Sequence, residues 1–269
     1  MQGRVLIVAG SDSGGGAGIQ ADTKTVTALQ GFAMTAITAL TAQNTCGVHG
    51  VHPVPGDFIR QQIQVCMTDI GADVVKIGML GDAPTIETVA QALEDFAPDV
   101  PLVVDPVMVA KGGHPLLARE AVTALKGRLI TRATVITPNL PEAETLLGRE
   151  VRTLKDMEAA ADDLLALGPK AVLLKGGHLA AEEKLVDLLI TAEGVTRFES
   201  GRVATTSTHG TGCTLASAVA TGLAQGRDLT SAVSRAREYV LGAIRTAPGY
   251  GQGHGPLDHA HTVRPFERL

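Results

Sequence analysis

The segment Ser207–Cys213, with the sequence Ser-Thr-His-Gly-Thr-Gly-Cys, carries the chain's clearest chemical signal. A stretch with helical sequence, 211–224, begins within it, and the first N–H groups of a helix have no intrahelical partner. The helix dipole adds positive potential there, and glycines let a ligand approach the backbone closely. Gly210, Thr211 and Gly212 therefore predict an anion-binding turn for a transferred phosphate. The alternative is a glycine-rich connection into a helix.

Cys213 lies at the edge of this turn, in the same positive field. Such a field lowers the pKa of a thiol and makes the thiolate available. A thiolate beside a phosphate site is a candidate general base for an attacking hydroxyl. We therefore expect phosphoryl transfer with Cys213 as proton acceptor, and the alternative is an inert buried cysteine.

Length and composition limit the class of protein. The chain has 269 residues, of which 45% are hydrophobic and 3% aromatic, so a large aliphatic core is expected. Its formal net charge is −5 and it has no basic stretch, which disfavours a nucleic-acid-binding protein. No apolar run is long enough for a signal sequence or a membrane span. Three cysteines without a C-x-x-C pair indicate reduced thiols, and we expect a cytoplasmic protein.

Short apolar runs alternate with amphipathic stretches, which is typical of a parallel sheet covered by helices on both faces. The predicted strands are Val5–Ala9, Thr35–Leu40, Val74–Ile77, Leu102–Asp105, Thr134–Thr137 and Ala171–Lys175. The predicted helices are Ile19–Leu29, Pro55–Asp69, Ala83–Phe96, Arg119–Leu129, Pro141–Leu147, Lys155–Leu167, Thr211–Ala224 and Thr230–Arg245. We further expect an edge hairpin of Leu185–Thr191 and Val195–Glu199, an irregular tail over Gly249–Leu269, and one α/β domain spanning residues 1–269.

Polar side chains at the carboxyl ends of parallel strands are candidate ligand contacts. These are Ser11, Asp12, Gln43, Asn44, Lys76, Asp105, Asn139, Glu142 and Lys175. Asp105 ends a strand, and Asn139 and Glu142 are three residues apart at a helix start, so their oxygens suit Mg²⁺. The alternative for Asn139 and Glu142 is a capping box. Lys175 precedes two glycines, which suits contact with a nucleotide phosphate. The alternative is that Lys175 belongs to a solvated turn.

A glycine-rich loop, Gly10–Gly18, connects the first strand to the first helix. With residues 19–21 it matches the relaxed dinucleotide pattern G-x-G-x-x-A, but no acidic residue ends the second strand to hold a ribose. The chain also lacks the P-loop pattern. We expect this loop to contact a flat substrate, with Asp22 one helical turn beyond it. The histidines His49, His52, His254, His259 and His261 do not have the spacing of a known metal motif.

Seven ordered blocks resemble those of the hydroxymethylpyrimidine and phosphomethylpyrimidine kinases of thiamine biosynthesis. They are Ala9–Asp22, Gln43–Val48, Lys76–Leu80, Asp105–Met108, Thr137–Ala143, Lys175–His178 and Thr208–Cys213. The resemblance runs from Val5 to the Gly-Pro-Leu at 255–257 and implies a ribokinase-like three-layer αβα sandwich. It further implies transfer of the ATP γ-phosphate to 4-amino-5-hydroxymethyl-2-methylpyrimidine and then to its monophosphate, with Mg²⁺, in a homodimer.

The resemblance also assigns roles to positions of this sequence. It implies a pyrimidine pocket formed by Gly10, Asp22, Gln43, Met79 and Val107, and a magnesium side formed by Asp105 and Glu142. Nucleotide contacts are implied for Asn139, Lys175 and Thr208, and an anion hole for Gly210, Thr211, Gly212 and Cys213. Ser13-Gly14 replaces the Pro-Ser that is frequent in the family's first loop.

Other functions remain as alternatives. A pyridoxal kinase is the nearest, but that subgroup tends to carry a second cysteine in the flap after Asp105, and Met108–Gly113 has none. We expect the flap around Lys111–His114 to be mobile because of its glycines. A sugar kinase of this family usually has Asp where Cys213 stands. A non-catalytic pyrimidine sensor would be expected to lack some of the reacting groups named above.

Overall fold

The strands of this protein form one mixed sheet. The computed structural model describes residues 2–109, 116–117, 120–177, 179 and 184–263. The strands within these ranges are β1 (Arg4–Asp12), β2 (Phe32–Asn44), β3 (Gly47–Pro53), β4 (Val74–Ile77), β5 (Leu102–Val104), β6 (Val135–Ile136), β7 (Ala171–Lys175), β8 (Lys184–Thr191) and β9 (Gly194–Gly201). Their spatial order is β3-β2-β1-β4-β5-β6-β7-β8-β9. Strands β2, β1, β4, β5, β6 and β7 pair in parallel, whereas β3, β8 and β9 pair antiparallel. The predicted central, mostly parallel sheet is confirmed.

Helices cover both faces of this sheet. They are α1 (Gly18–Ala28), α2 (Gly56–Asp69), α3 (Ala83–Phe96), α4 (Ala121–Ala124), α5 (Leu140–Leu147), α6 (Leu154–Ala159), α7 (Ala161–Leu165), α8 (Thr211–Ala224) and α9 (Leu229–Arg245). Side chains alternate across β1, so Leu6 and Val8 join the core under α2–α7, while Val5 and Ile7 join the core under α1, α8 and α9. Two aliphatic cores therefore separate three layers, as predicted.

Three elements differ from the sequence prediction. The edge strand β3 was not predicted, because its residues Gly47–Pro53 are all at least partly exposed and form no apolar run. The predicted helix Arg119–Leu129 is α4 followed by a π-helical turn, Leu125–Leu129; Arg119 lies outside the described residues. The predicted helix Lys155–Leu167 is divided into α6 and α7 at Ala160, and the sequence shows no Gly or Pro there.

The described part of the C-terminal tail is irregular, as predicted, and is tied to α8 and α9. The N–H of His209 donates to Gly255 O (3.0 Å), and the Tyr239 hydroxyl donates to His259 O (2.7 Å). His259 Nε2 lies 3.0 Å from the Thr214 hydroxyl, and burial lowers the pKa of this imidazole to about 4. These contacts hold the tail against the start of α8. The predicted flap around Lys111–His114 lies largely outside the described residues.

No helix among the residues described above has both the length and the apolar character needed to cross a bilayer.

Replacing Tyr239 with Phe should lower the free energy of unfolding by about 1–2 kcal/mol, because the buried carbonyl of His259 loses its donor. Urea denaturation measures this. Tyr250→Phe is the matched control, since Tyr250 is 69% exposed, and it should leave the unfolding midpoint unchanged. Equal midpoints for the two variants would contradict the anchoring role of the tyrosine hydroxyl.

Candidate active site

The carboxyl ends of the parallel strands open into a cavity of about 1400 Å³. Its floor includes the ends of β1 and β4, where the strand order reverses, because β2 flanks β1 on one side and β4 on the other. Ligands of open α/β sheets bind at such a point. The cavity is lined by the predicted site residues Gly10, Gln43, Met79, Asp105, Val107, Asn139, Glu142, Lys175, Thr208, Gly210, Thr211, Gly212 and Cys213.

The start of α8 forms one wall of this cavity. Gly210 precedes the helix with φ +80° and provides no side chain to cap it. A Cβ at Gly212 would lie 3.3 Å from Lys175 Nζ and 3.6 Å from Asp105 Oδ2. The positive end of the helix and a lysine ammonium therefore face the same space, which suits a phosphate group.

A second wall combines two carboxylates with that lysine. Lys175 Nζ lies 3.1 Å from Asp105 Oδ1 and 4.0 Å from Glu142 Oε2. Burial raises the pKa of Asp105, but Lys175 and Lys76 outweigh this effect and hold it below its usual value. Burial raises the pKa of Glu142 to about 7, and the nearby Asp105 contributes to the increase. One carboxylate is thus firmly ionised and the other is poised to ionise when a cation approaches.

Asn139 and Glu142 form a capping box at the start of α5. Glu142 N–H donates to Asn139 Oδ1 (2.9 Å), and Asn139 N–H donates to Glu142 Oε2 (2.8 Å). The capping box that the sequence analysis gave as the alternative for these two residues is therefore present. The same capping holds the Glu142 carboxyl at the cavity wall, so the capping role and a ligand role are compatible.

The structure places Asp22, which the resemblance assigns to the pyrimidine pocket, below the cavity and not in its lining. Asp22 is completely buried in α1 and is not among the residues that line the cavity. Its carboxylate accepts from Lys76 Nζ (2.9 Å) and from the Ser217 hydroxyl (2.7 Å). Lys76 is also completely buried, and Asp22 holds the pKa of its ammonium above the usual value despite that burial. The lysine reaches the cavity floor and Asp22 supports it from below.

The expected low pKa of Cys213 is wrong. Burial raises the pKa of this thiol to about 12, and the carboxylates of Asp22 and Asp105 add to the increase although Lys76 opposes it. The positive helix start lowers the pKa of the thiol by less than desolvation and two buried negative charges together raise it. The thiol is neutral in the absence of ligands.

Asp12 organises the glycine-rich loop, a role that the sequence analysis did not assign. Its carboxylate accepts from the N–H groups of Gly14 (2.8 Å), Gly16 (3.1 Å) and Ala17 (2.8 Å). His209 Nε2 lies 2.8 Å from the same carboxylate. Burial raises the pKa of Asp12, but the bonds from His209 and the loop amides outweigh it, and the net shift is downward. The position of Asp12 at the end of a strand was the sequence signal that could have indicated this role.

An ion pair in the cavity lining also escaped the sequence analysis. Arg237 Nε donates to Asp187 Oδ2 (2.7 Å), and Asp187 Oδ1 accepts from Gly176 N–H (2.9 Å). This pair fixes the turn that follows Lys175. The three residues belong to α9, β8 and the loop after β7, so no local sequence pattern could have joined them.

The residues present fit a magnesium ion that is completed by a substrate. Among the described residues, no three His, Cys, Asp or Glu side chains are grouped to hold a metal. Magnesium usually takes only one or two carboxylates and fills its other positions with water and phosphate oxygens. Asp105 and Glu142, facing an anion-binding turn, match that donor set.

Family comparison agrees with this geometry. The family model for phosphomethylpyrimidine kinase matches residues 12–258. The chain belongs to this family. It is 46% identical to the hydroxymethylpyrimidine/phosphomethylpyrimidine kinase of Bacillus subtilis, over 95% of this chain and 94% of that protein. It is 52% identical to a thiamine biosynthesis bifunctional protein of Geobacter sulfurreducens, over 96% of this chain and 52% of that protein, so it spans about half of that relative.

Solved structures share the fold. A phosphomethylpyrimidine kinase of Clostridium difficile aligns with a TM-score of 0.79 and 42% identity, over 90% of this chain and 99% of that one. The pyridoxal kinase of Staphylococcus aureus in complex with ADP aligns with a TM-score of 0.90 and 34% identity, over 98% and 96% of the two chains. The three-layer sandwich is thus ribokinase-like, as the resemblance implied.

Replacing Gly210 with Ala should greatly reduce kinase activity. A Cβ there would collide with the carbonyl oxygen of Gly16, so the anion-binding turn must move away from the glycine-rich loop. Gly226 is a matched control, since it has the same φ of +80° and a Cβ added there would meet no atom within 4 Å. Both variants should lose about 1 kcal/mol of stability from the left-handed backbone, and only Gly210→Ala should lose kcat/KM. Equal activity in the two variants would show that the close approach is unimportant.

Proposed function

We propose that this chain transfers the γ-phosphoryl group of ATP to 4-amino-5-hydroxymethyl-2-methylpyrimidine, and then a second phosphoryl group to the resulting monophosphate. The chain is a member of the kinase family that acts in thiamine biosynthesis. The observation that carries the proposal is one cavity whose lining combines the start of α8, Lys175, Asp105 and Glu142 with Gln43. The proposed enzyme is a single ribokinase-like domain.

In the proposed reaction, catalysis depends mainly on electrostatic stabilisation of the transferred phosphoryl group. Phosphoryl transfer spreads negative charge over the equatorial oxygens of the transferred group. The first amides of α8 and the Lys175 ammonium face this charge in a largely buried setting, where each interaction is stronger than in water. We assign Asn139 and Thr208, which also line the cavity, to the nucleotide phosphates. We assign Gly10, Met79 and Val107 to the pyrimidine because all three line the cavity, and Gly10 and Met79 are neighbours there, since a Cβ at Gly10 would lie 3.2 Å from Met79 Sδ.

Asp105 and Glu142 would hold the magnesium ion, which neutralises phosphate charge when bound. The ionised Asp105 provides the permanent ligand. Glu142, whose pKa is about 7 without a cation, would lose its proton as the cation binds. The capping bonds from Asn139 keep the Glu142 carboxyl in place through that change.

Cys213 is the proposed proton acceptor of the first phosphorylation. The attacking group is then an alcohol, whose proton must leave as the O–P bond forms. Because burial holds the pKa of this thiol near 12, few molecules carry a thiolate at neutral pH. The attacking group of the second phosphorylation is an anionic phosphate oxygen, which needs no base. The two steps should therefore depend differently on Cys213 and on pH.

A pyridoxal kinase is the second candidate function, because a pyridoxal kinase shares this fold at 34% identity. Mass spectrometry with magnesium-ATP should distinguish the candidates when the hydroxymethylpyrimidine, its monophosphate and pyridoxal are offered separately. We expect both the monophosphate and the diphosphate of the pyrimidine, and no product after EDTA removes the metal. Efficient conversion of pyridoxal alone would overturn the proposal. Binding of the pyrimidine without any product would favour a sensor.

Replacing Cys213 with Ala should reduce kcat/KM of the first phosphorylation much more than that of the second. In the wild type, the first step should accelerate about tenfold per pH unit between pH 7 and 9, because the thiolate fraction grows tenfold per unit below the pKa. The second step and the Ala variant should lack this slope. Equal losses in the two steps would assign Cys213 to packing instead.

We further propose a homodimer in the cytoplasm. Large apolar side chains of β2, β3 and α2, namely Leu40, Val51, Phe58 and Val65, are at least 42% exposed and would be covered by a second copy. Sedimentation equilibrium tests this assembly. The three cysteines are unpaired, in agreement with a reducing compartment.

A further inference from the structure

The hydrogen bonds around Gln43 decide which end of its side-chain amide is oxygen. The amide lies between two polar groups in the cavity wall. The Thr41 hydroxyl oxygen is 3.2 Å from the Oε1 position, and His209 Nε2 is 3.4 Å from the Nε2 position. The two ends of an amide have nearly the same shape, so the surrounding donors and acceptors determine its orientation.

The Thr41 hydroxyl has only an acceptor to offer Gln43. A hydroxyl carries one proton, and that of Thr41 is donated to the carbonyl oxygen of Ser11 at 2.8 Å. This carbonyl cannot donate, so the assignment of the proton is unambiguous. Whatever faces the Thr41 oxygen from Gln43 must therefore be an N–H.

His209 Nε2 has no lone pair to offer Gln43. It lies 2.8 Å from Asp12 Oδ2, and a carboxylate that also accepts three backbone N–H bonds is ionised and accepts only. The proton between them must belong to His209 Nε2. That single proton is donated to Asp12, so His209 shares it with Gln43 only as the minor part of a three-centre bond, whereas a Gln43 N–H placed there would meet no acceptor. The Gln43 oxygen therefore faces this nitrogen.

We infer that Asp12 and His209 form a relay which, with Thr41, fixes the Gln43 amide with its oxygen toward His209 and its nitrogen toward Thr41. Thr41 requires this orientation by accepting an N–H, and His209 requires it by excluding one. The orientation interchanges the two amide ends relative to the Oε1 and Nε2 positions. Asp12 and His209 act through Gln43 and are positioning residues. Both are nearly buried, so water competes weakly for their bonds.

The fixed amide selects the pattern of a substrate edge. After its bond to Thr41, Gln43 retains one N–H, and its oxygen retains a lone pair for the substrate. Resting on the proposed function, a 4-aminopyrimidine would donate its exocyclic amine to the oxygen on the His209 side. Its ring nitrogen would accept the N–H on the Thr41 side. A 4-oxopyrimidine presents the opposite pattern and would require the amide to rotate against both anchors.

The test compares the ratio of kcat/KM for the 4-amino substrate to kcat/KM for its 4-oxo analogue. Thr41→Val removes the hydrogen-bonding anchor and should reduce this ratio about 3- to 10-fold, the value of one hydrogen bond. His209→Met removes the N–H that excludes the amide nitrogen, and it should reduce the ratio by a smaller factor. His209→Gln and Thr41→Ser are the matched controls, because each keeps the donor or acceptor, and they should retain most of the discrimination. Loss of both activities in proportion, with an unchanged ratio, would overturn the inference and indicate a structural role.

A second measurement does not depend on catalysis. In the isotope-labelled protein, the side-chain amide protons of Gln43 should give nuclear Overhauser effects to the methyl group of Thr41. Effects to the imidazole ring of His209 instead would overturn the orientation. If the wild type phosphorylates neither pyrimidine, the proposed function fails, whereas the amide orientation is still decided by these proton contacts.

Discussion

The buried ion pair between Lys76 and Asp22 joins the parts of the structure on which the active site depends. It connects β4 to α1, and the Ser217 hydroxyl adds α8 to the same cluster. Both charged side chains are fully excluded from solvent, so loss of either partner would leave an uncompensated charge and cost about 3–5 kcal/mol. The pair therefore fixes three elements relative to one another directly below the cavity.

This pair also sets the electrostatic character of the site. Lys76 presents a positive charge to the cavity floor, and Lys175 presents another beside the start of α8. Asp22 and Asp105 balance these charges, and the low dielectric of the interior makes every interaction between them strong. The thiol of Cys213 lies within the same cluster and stays protonated, because desolvation and two carboxylates outweigh the nearby cations. A site arranged in this way places two ammonium groups beside the start of a helix without holding a reactive thiolate in its resting state.

The sequence predicted most elements of the fold because their signals are local. Continuous apolar strands and amphipathic helices recur along the chain, and the helix Ala83–Phe96 was predicted with its observed bounds. The strand β3 was missed since an exposed edge strand needs no apolar face. The helix over 155–167 was predicted as continuous, and its interruption at Ala160 has no counterpart in helix propensity.

Residue types and their spacing were enough by themselves to predict an anion-binding turn at Gly-Thr-Gly, and to predict that polar side chains gather at one edge of a parallel sheet. The tertiary structure alone decided how those side chains are used. It placed Asp22 beneath the cavity and the Asp12 carboxylate against His209, which is 197 residues away in the chain. It also reversed the expected pKa shift of Cys213. Charge, burial and hydrogen-bond direction depend on neighbours that are distant in sequence, so only the folded arrangement of β1, β4, α1 and α8 could determine them.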